Sequence, residues 1–131
     1  DKKEEIVDIT EQVMKINLNN DKVTYKGQEY NFEILFIKKY DKIWAPIRRL
    51  AELFGSKVFW DNQLNKIYIV DENLRILFDV ELGLVNVNGE LTQLKDRLLM
   101  ESDHYFLSLE DLGVLKLKVH KNNNQIYIYE K

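Results

Sequence analysis

IWAPIRRLAELFGSKVFWDNQLNKIYIV, residues 43–70, is the stretch that decides the fold. Pro46 lacks an amide donor and has a fixed φ, so it fits the first turn of a helix. The apolar residues after it recur with helical spacing. These residues are Ile47, Leu50, Ala51 and Phe54. Gly55 follows them and suits a left-handed C-terminal cap. The sequence therefore predicts a helix over about 46–54.

Beyond Gly55 the apolar period changes to two, which is typical of β-strands. Val58 and Trp60 share one face of the first strand, so we expect Trp60 to face the core. Polar residues at 61–66 then form a turn, and the β-branched and aromatic residues 67–70 form the return strand. The stretch thus predicts a helix followed by a β-hairpin.

A second, weaker copy of this pattern lies near the end of the chain. One ungapped alignment sets VTYKGQEYNF (23–32) against VNVNGELTQL (85–94), and IWAPIRRL (43–50) against YFLSLEDL (105–112). After a slightly shortened helix and exit, the triplet IYI at 67–69 recurs at 126–128. In this copy Ser108 can cap a short helix and Gly113 can end it. The pattern predicts an internal duplication.

Two hairpin–helix–hairpin units cannot each bury both faces alone, so we expect them to share one core. The predicted fold class is α+β, with mostly antiparallel β-sheet built from two duplicated hairpin–helix–hairpin units. We expect one good helix at about 46–54 and one vestigial helix at about 109–112.

The composition is that of an ordinary soluble globular protein. The chain has 131 residues, 45% of them hydrophobic and 31% charged, with a net charge of −3. The even mixing of charges does not favour a nucleic-acid partner. No apolar run reaches the ~20 residues of a transmembrane helix. The absence of cysteine excludes disulfides and thiolate chemistry.

The charge pattern also predicts the domain limits. Residues 1–10 are expected to be a charged leader, either disordered or a short helical turn. Residues 11–131 are expected to form a single domain, in which the repeat predicts two units at about 13–70 and 74–131. The chain begins at Asp1, so we expect that a signal peptide has been removed.

Three short motifs carry a family resemblance. They are Ala45-Pro46-Ile47-Arg48, then Leu53-Phe54-Gly55-Ser56, then Val58 with Trp60 and Asp61. They resemble the motif of the copper amine oxidase N-terminal-like (stalk) domain family: Val-Pro-Leu-Arg, a short helix ending Leu-Gly-Ala, then Val-x-Trp-Asp and a return strand. The turn at Val87-Asn88-Gly89 is also similar to one in that family. The resemblance covers residues 13–131, although the second unit has Ser108 and Glu110 in place of the proline and arginine.

This resemblance implies a non-catalytic role. In the amine oxidases the domain is a stalk away from the copper and the quinone cofactor. The domain also resembles repeated, non-catalytic modules on secreted or wall-attached proteins of Gram-positive bacteria. We therefore expect a secreted or cell-surface protein that is not an enzyme and has neither cofactor nor metal. The two histidines, His104 and His120, fall in different predicted elements and lack ligand spacing.

Five residues form the candidate binding surface. Tyr68 and Tyr127 alternate with the isoleucines of the two return strands, so we expect them together on the outer face of the sheet. Arg48 and Asp61 are expected to meet, as a structural clamp or as part of a ligand site, and Trp44 lies just before the helix. The residues expected to serve structure alone are Pro46, Gly55, Trp60 and Gly89.

The leading hypothesis is a non-catalytic extracellular stalk or binding module. Its expected partner is cell-wall polysaccharide or a protein, and we also expect a homodimer through exposed sheet edges. Two alternatives stay open. One is a hydrolase acting on cell-wall carbohydrate, which convergent carboxylates in a cleft would favour. The other is an intracellular ligand-sensing domain.

Overall fold

The computed structural model describes residues 12–31 and 36–130. The leader expected at residues 1–10 lies outside these ranges. The described residues form fourteen strands, one α-helix and one 3-10 helix. The strands are β1 (Met14–Asn17), β2 (Lys22–Tyr25), β3 (Gln28–Tyr30), β4 (Ile37–Lys39), β5 (Lys42–Pro46), β6 (Lys57–Asp61), β7 (Lys66–Val70), β8 (Arg75–Asp79), β9 (Leu84–Val87), β10 (Glu90–Gln93), β11 (Leu99–Glu101), β12 (His104–Ser108), β13 (Leu117–Asn122) and β14 (Gln125–Glu130).

These strands form three antiparallel sheets. The first sheet has the order β13-β14-β1-β2-β3, and the second has the order β10-β9-β8-β7-β6. The third is four-stranded, with the order β11-β12-β5-β4. The first and third sheets combine strands from the early and late parts of the chain, so both parts contribute to one core. Mostly antiparallel sheet with two helices confirms the α+β class.

The third sheet joins the two helix-bearing segments. Its central strands β5 and β12 pair antiparallel, with Ala45 opposite Leu107 and both side chains fully buried. Helix α1 (Ile47–Leu53) follows β5, and the 3-10 helix (Leu109–Leu115) follows β12. The two helices therefore start from opposite ends of the central strand pair.

Helix α1 confirms the predicted apolar stripe. Ile47, Leu50 and Ala51 are buried, and the helix begins directly after Pro46. Gly55 ends this segment with φ +94°, a conformation that side chains with a Cβ rarely adopt.

The second helix is longer than the predicted 109–112. Ser108 caps it as predicted, because its hydroxyl accepts a hydrogen bond from the amide of Glu110 at 3.3 Å. The helix continues past Gly113, so the prediction that this glycine ends it is wrong. Lys116 adopts the left-handed conformation instead and donates its amide to the carbonyl of Gly113 at 3.0 Å.

Alternation along the strands builds the core. Ile67 and Ile69 of β7 are buried, as are Ile126 and Ile128 of β14, and the residues between them are half-buried. Each five-stranded sheet thus has one face against the core and one face outward. Within the described ranges, neither helix has the length and hydropathy of a membrane span.

Candidate ligand-binding pocket

A pocket of about 520 Å³ lies where α1, strand β6 and the β11–β12 hairpin meet. Its volume falls within the range of ~300–1,000 Å³ that is usual for small-molecule sites. Its apolar wall consists of Pro46, Ile47, Val58, Trp60, Ile67 and Tyr105. Its polar groups belong to Asn31, Arg48, Arg49, Glu52, Asp103 and His104.

Trp60 forms the exposed part of the apolar wall. It pairs with the buried Ile67 across the β6–β7 ladder, so its side chain is on the predicted face of the strand. However, β6 is the edge strand of the second sheet, and 42% of Trp60 remains exposed. The prediction that Trp60 is a core residue is therefore wrong. The alternation along β6 correctly indicates the face of the strand on which Trp60 lies. However, the pocket lies where further side chains would have to pack to bury it.

Tyr105 holds the indole of Trp60 from the side. The two rings meet edge to face, with their centroids 5.3 Å apart and their planes at 90°. This is a favourable geometry for aromatic pairs. The phenol of Tyr105 donates to Oδ1 of Asn65 at 3.2 Å, and burial raises its pKa. The ring is thus held by a hydrogen bond at its hydroxyl and by contact with the indole.

The rim of the pocket carries charges of both signs. Arg48, Arg49 and Glu52 come from α1, and Asp103 comes from the β11–β12 turn. The two arginines can donate several hydrogen bonds to a hydroxyl-rich or carboxylate-bearing ligand.

Asp61 does not take part in this rim. Its Oδ1 accepts the amides of Gln63 at 2.9 Å and Leu64 at 3.0 Å, and so closes the β6–β7 turn. The structure shows no ion pair between Arg48 and Asp61, both of which lie in the described ranges. The predicted clamp is therefore absent, and one oxygen of the carboxylate closes the turn instead.

Trp44 is not available to a ligand. It is only 4% exposed, and its indole Nε1 donates to the carbonyl of Lys39 at 2.9 Å. The prediction that Trp44 belongs to a binding surface is thus wrong. The central position of β5 in the third sheet buries this side chain.

Tyr68 and Tyr127 point outward but do not lie together. Tyr68 is on β7 of the second sheet, whereas Tyr127 is on β14 of the first sheet. The shared platform expected from their matching phases is therefore wrong, since the two return strands join different sheets. Tyr127 instead lies near His120, with ring centroids 6.1 Å apart.

The described part of the chain contains no cluster of three or more His, Asp or Glu residues that could hold a metal ion. His104 lines the pocket, and His120 lies on β13 of the first sheet.

Sequence reasoning did not place Tyr105 and Arg49 in a site. The aligned copies contain a signal for Tyr105, because the alignment sets it against Ile43, an aromatic against an aliphatic residue. That difference alone could not show that Tyr105 contacts Trp60, which lies far from it in the chain.

Comparison with known families gives one result. The family model of the copper amine oxidase N-terminal domain matches residues 1–69 and, in a second match, residues 24–129. The comparisons with curated proteins and with solved structures each gave no match. Together the two family matches cover residues 1–129 of the 131 in the sequence. The chain therefore belongs to the copper amine oxidase N-terminal domain family.

Proposed function

We propose that this chain is a non-catalytic extracellular module, secreted or displayed on the surface of a Gram-positive bacterium, that binds cell-wall glycan. The N-terminal domain of copper amine oxidases is itself a non-catalytic stalk domain. The observation that carries the binding role is Trp60, a large aromatic residue left 42% exposed at the wall of a pocket.

The chemistry of the pocket suits a sugar better than an apolar ligand. The indole of Trp60 offers a flat surface for the C–H face of a sugar ring, and Tyr105 fixes its orientation. Arg48, Glu52 and Asp103 surround this surface with donors and acceptors for hydroxyl groups. Arg49 lies in the same rim, so a glycan that carries carboxylates would meet two cations.

We also infer that the domain consists of two duplicated units, at about 13–70 and 74–131. Two observations support this. Ala45 and Leu107, which the alignment of the copies matches, pair at the centre of the third sheet. Lys39 and Glu101, matched by the same alignment, form an ion pair. The pocket would then be a feature of the first unit's helix and hairpin, completed by Tyr105 of the second.

The experiment is a pull-down with purified peptidoglycan, followed by calorimetric titration with soluble glycan fragments. We expect Trp60→Ala to weaken binding at least ~10-fold, since a large aromatic side chain at the wall of a pocket usually contributes much of the binding energy. The matched control is the double variant Tyr68→Ala with Tyr127→Ala, which removes outward aromatic residues from elsewhere and should bind like the wild type. Equal binding by Trp60→Ala and the wild type would contradict the proposal.

One observation favours the second candidate, a hydrolase acting on cell-wall carbohydrate. Glu52 and Asp103 are two carboxylates that line the same pocket. Both are exposed, however, and a general acid of this class usually needs a less solvated site. Release of reducing sugars from peptidoglycan, abolished in both Glu52→Gln and Asp103→Asn, would establish the hydrolase and overturn the non-catalytic module.

A further inference from the structure

The outer face of the second sheet carries a row of side chains, here called the apolar row, that crosses all five strands and is apolar or aromatic except at Asn86. Pairing in register places Phe59, Tyr68, Leu77, Asn86 and Leu91 side by side. The residues that flank the row on β7 and β8 are buried, so this row faces away from the core. Phe59 and Leu91 are 55% and 68% exposed.

Exposed apolar side chains are concentrated on this sheet. The structure has seven large hydrophobic residues that are strongly exposed in its described ranges. Five of them belong to the second sheet or its turns: Phe59 and Leu91 in the row itself, Leu64 and Leu82 in the turns, and Trp60 on the opposite face, toward the pocket. A patch of this kind commonly marks an interaction surface.

Charged residues border the apolar row on both sides. On one side, Lys57 of β6 and Arg75 of β8 lie in the row that also contains Val70. On the other side, Asp61 of β6 and Asp79 of β8 flank Lys66. The first border is therefore positive, whereas the second carries two carboxylates around one lysine.

This arrangement is complementary to itself. If a second copy is related to the first by a twofold axis that runs along the apolar row, each strand lies antiparallel over its own counterpart. The central residues of the row then face the same residues of the other copy, and each positive border faces a border with two carboxylates. Lys57 meets Asp61 of the second copy, and Arg75 meets Asp79. Aligned packing of two sheets has this geometry, apart from a rotation of about 30° due to twist.

We propose that the outer face of the second sheet binds a second copy of this chain in an isologous, face-to-face dimer. This contact differs from edge pairing, because it uses side chains and leaves the backbone groups of the edge strands free. It does not depend on the glycan pocket.

The size of the face sets the strength of the dimer. With strands about 4.8 Å apart and a rise of about 3.3 Å per residue, the face measures roughly 20 Å by 15 Å. This is smaller than the ~800 Å² per partner of a standard interface. The dimer is therefore a weak one, expected to form at about 10–500 µM protein and to weaken as added salt screens the borders.

The test is sedimentation velocity on the full chain at concentrations from about 10 µM to about 1 mM, in low and in high salt. The wild type should show a concentration-dependent dimer. A first variant, Lys57→Glu with Arg75→Glu, makes both borders acidic and should raise the dissociation constant at least ~10-fold. The matched control is Lys15→Glu with Lys118→Glu on the outer face of the first sheet. It makes the same change in net charge and should dimerise like the wild type.

A second variant sharpens the test by complementation. Asp61→Asn with Asp79→Asn leaves the positive border in place, and each asparagine keeps an oxygen for the turn amides that the aspartate now accepts. This variant alone should dimerise poorly. Mixed with the first variant it should form a heterodimer, because the cations of one copy again face the carboxylates of the other.

Three results would overturn the proposal. They are a wild type that stays monomeric at the highest concentration, a first variant that dimerises as well as the wild type, and a mixture that forms no more dimer than its components.

Discussion

The first and second sheets follow one plan on their inner faces. Each reads as a hairpin, a single strand and a second hairpin: β13-β14, β1 and β2-β3 in the first, and β6-β7, β8 and β9-β10 in the second. Ile69 of β7 and Ile128 of β14 close the two matching IYI triplets, and both are fully buried. The inner faces are alike because both pack into the same core.

Their outer faces differ at matching positions. In the second sheet the central row begins Phe59, Tyr68, Leu77. In the first sheet the corresponding row is His120, Tyr127, Lys15, followed by Thr24 and Glu29. Only the tyrosine is shared. The comparison teaches that the shared core keeps the inner faces alike, whereas the outer faces are free of that limit and carry different side chains.

The edge strands of the two sheets, and the helices before them, also carry different residues. Trp60 pairs with Ile67 at the edge of the second sheet, and in the first sheet the matching isoleucine, Ile126, pairs with Lys121. Arg48 and Arg49 correspond to Glu110 and Asp111. The carboxylate of Asp111 is buried and accepts the amides of Lys95 and Asp96 at 3.0 and 3.1 Å, so it fixes the chain before β11. Arg48 and Arg49 thus line a pocket, whereas Asp111 at the matching position of Arg49 serves the structure.

The largest effect is expected where the sheets are alike. Ile69→Ala and Ile128→Ala should each lower the free energy of unfolding by about 2–5 kcal/mol, because each leaves a cavity in a closely packed core. Urea denaturation would measure both. If the two losses in free energy of unfolding differ by more than the scatter of repeated urea curves, the inner faces of the two sheets are not equivalent.

A smaller effect is expected at the edge positions. Trp60→Ala should lower the free energy of unfolding by about 1–2 kcal/mol, below the ~3–5 kcal/mol typical of a fully buried aromatic residue, since much of the indole already meets water. Val119→Ala should have a similar effect of about 1 kcal/mol. If the same urea curves show that Trp60→Ala lowers the free energy of unfolding by ~3–5 kcal/mol, then Trp60 is a core residue.

On the outer faces, the effects on the monomer should be small. Phe59→Ser and His120→Ser are each expected to change the free energy of unfolding by less than ~1 kcal/mol at low protein concentration, because both side chains are exposed or partly exposed. At about 500 µM protein, Phe59→Ser alone should reduce the dimer seen by sedimentation. If His120→Ser reduces it equally, the difference between the outer faces has no consequence for assembly.

The smallest effect concerns the ion pair between Lys39 and Glu101, two positions that the alignment of the copies matches. The hydrogen bond from Lys39 to Glu101, with a further contribution from the opposite charge of Glu101, raises the pKa of Lys39. The stabilisation this provides is present below the unfolded pKa of about 10.4 and is lost as the pH rises through the higher folded pKa. Lys39→Met should therefore lower the urea midpoint slightly at about pH 8, and the difference should disappear above the folded pKa.

Lys38→Met is the control for that titration, because it removes the exposed lysine next to Lys39. It should leave the pH dependence of the urea midpoint unchanged. A Lys39→Met deficit that persists at high pH would show that the ion pair is not its cause.

The local parts of the fold could be predicted from the sequence, because local patterns determine them. The apolar stripe of α1, the cap at Ser108 and the left-handed Gly55 all depend on neighbours within a few residues. The two tryptophans show where such reasoning ends. Trp44 is buried because β5 is a central strand, and Trp60 is exposed because β6 is an edge strand. Strand order is a tertiary property that no local period reveals.

The same limit explains why the residues of the pocket could not be brought together from the sequence. Tyr68 and Tyr127 have matching phases, yet the exchange of strands between the early and late parts of the chain separates them. Tyr105 reaches Trp60 only because the β11–β12 hairpin packs beside α1 and β6.

The central claim is that the pocket beside Trp60 binds cell-wall glycan, and the two indole N–H signals in a ¹⁵N-correlated NMR spectrum test it most directly. Trp60 lines the pocket, whereas the Trp44 indole is buried and bonded to the Lys39 carbonyl. On titration with a soluble peptidoglycan fragment, we expect the Trp60 signal to shift to saturation while the Trp44 signal stays in place. A saturable shift elsewhere in the spectrum with the Trp60 signal unchanged, or no shift at all, would contradict the claim.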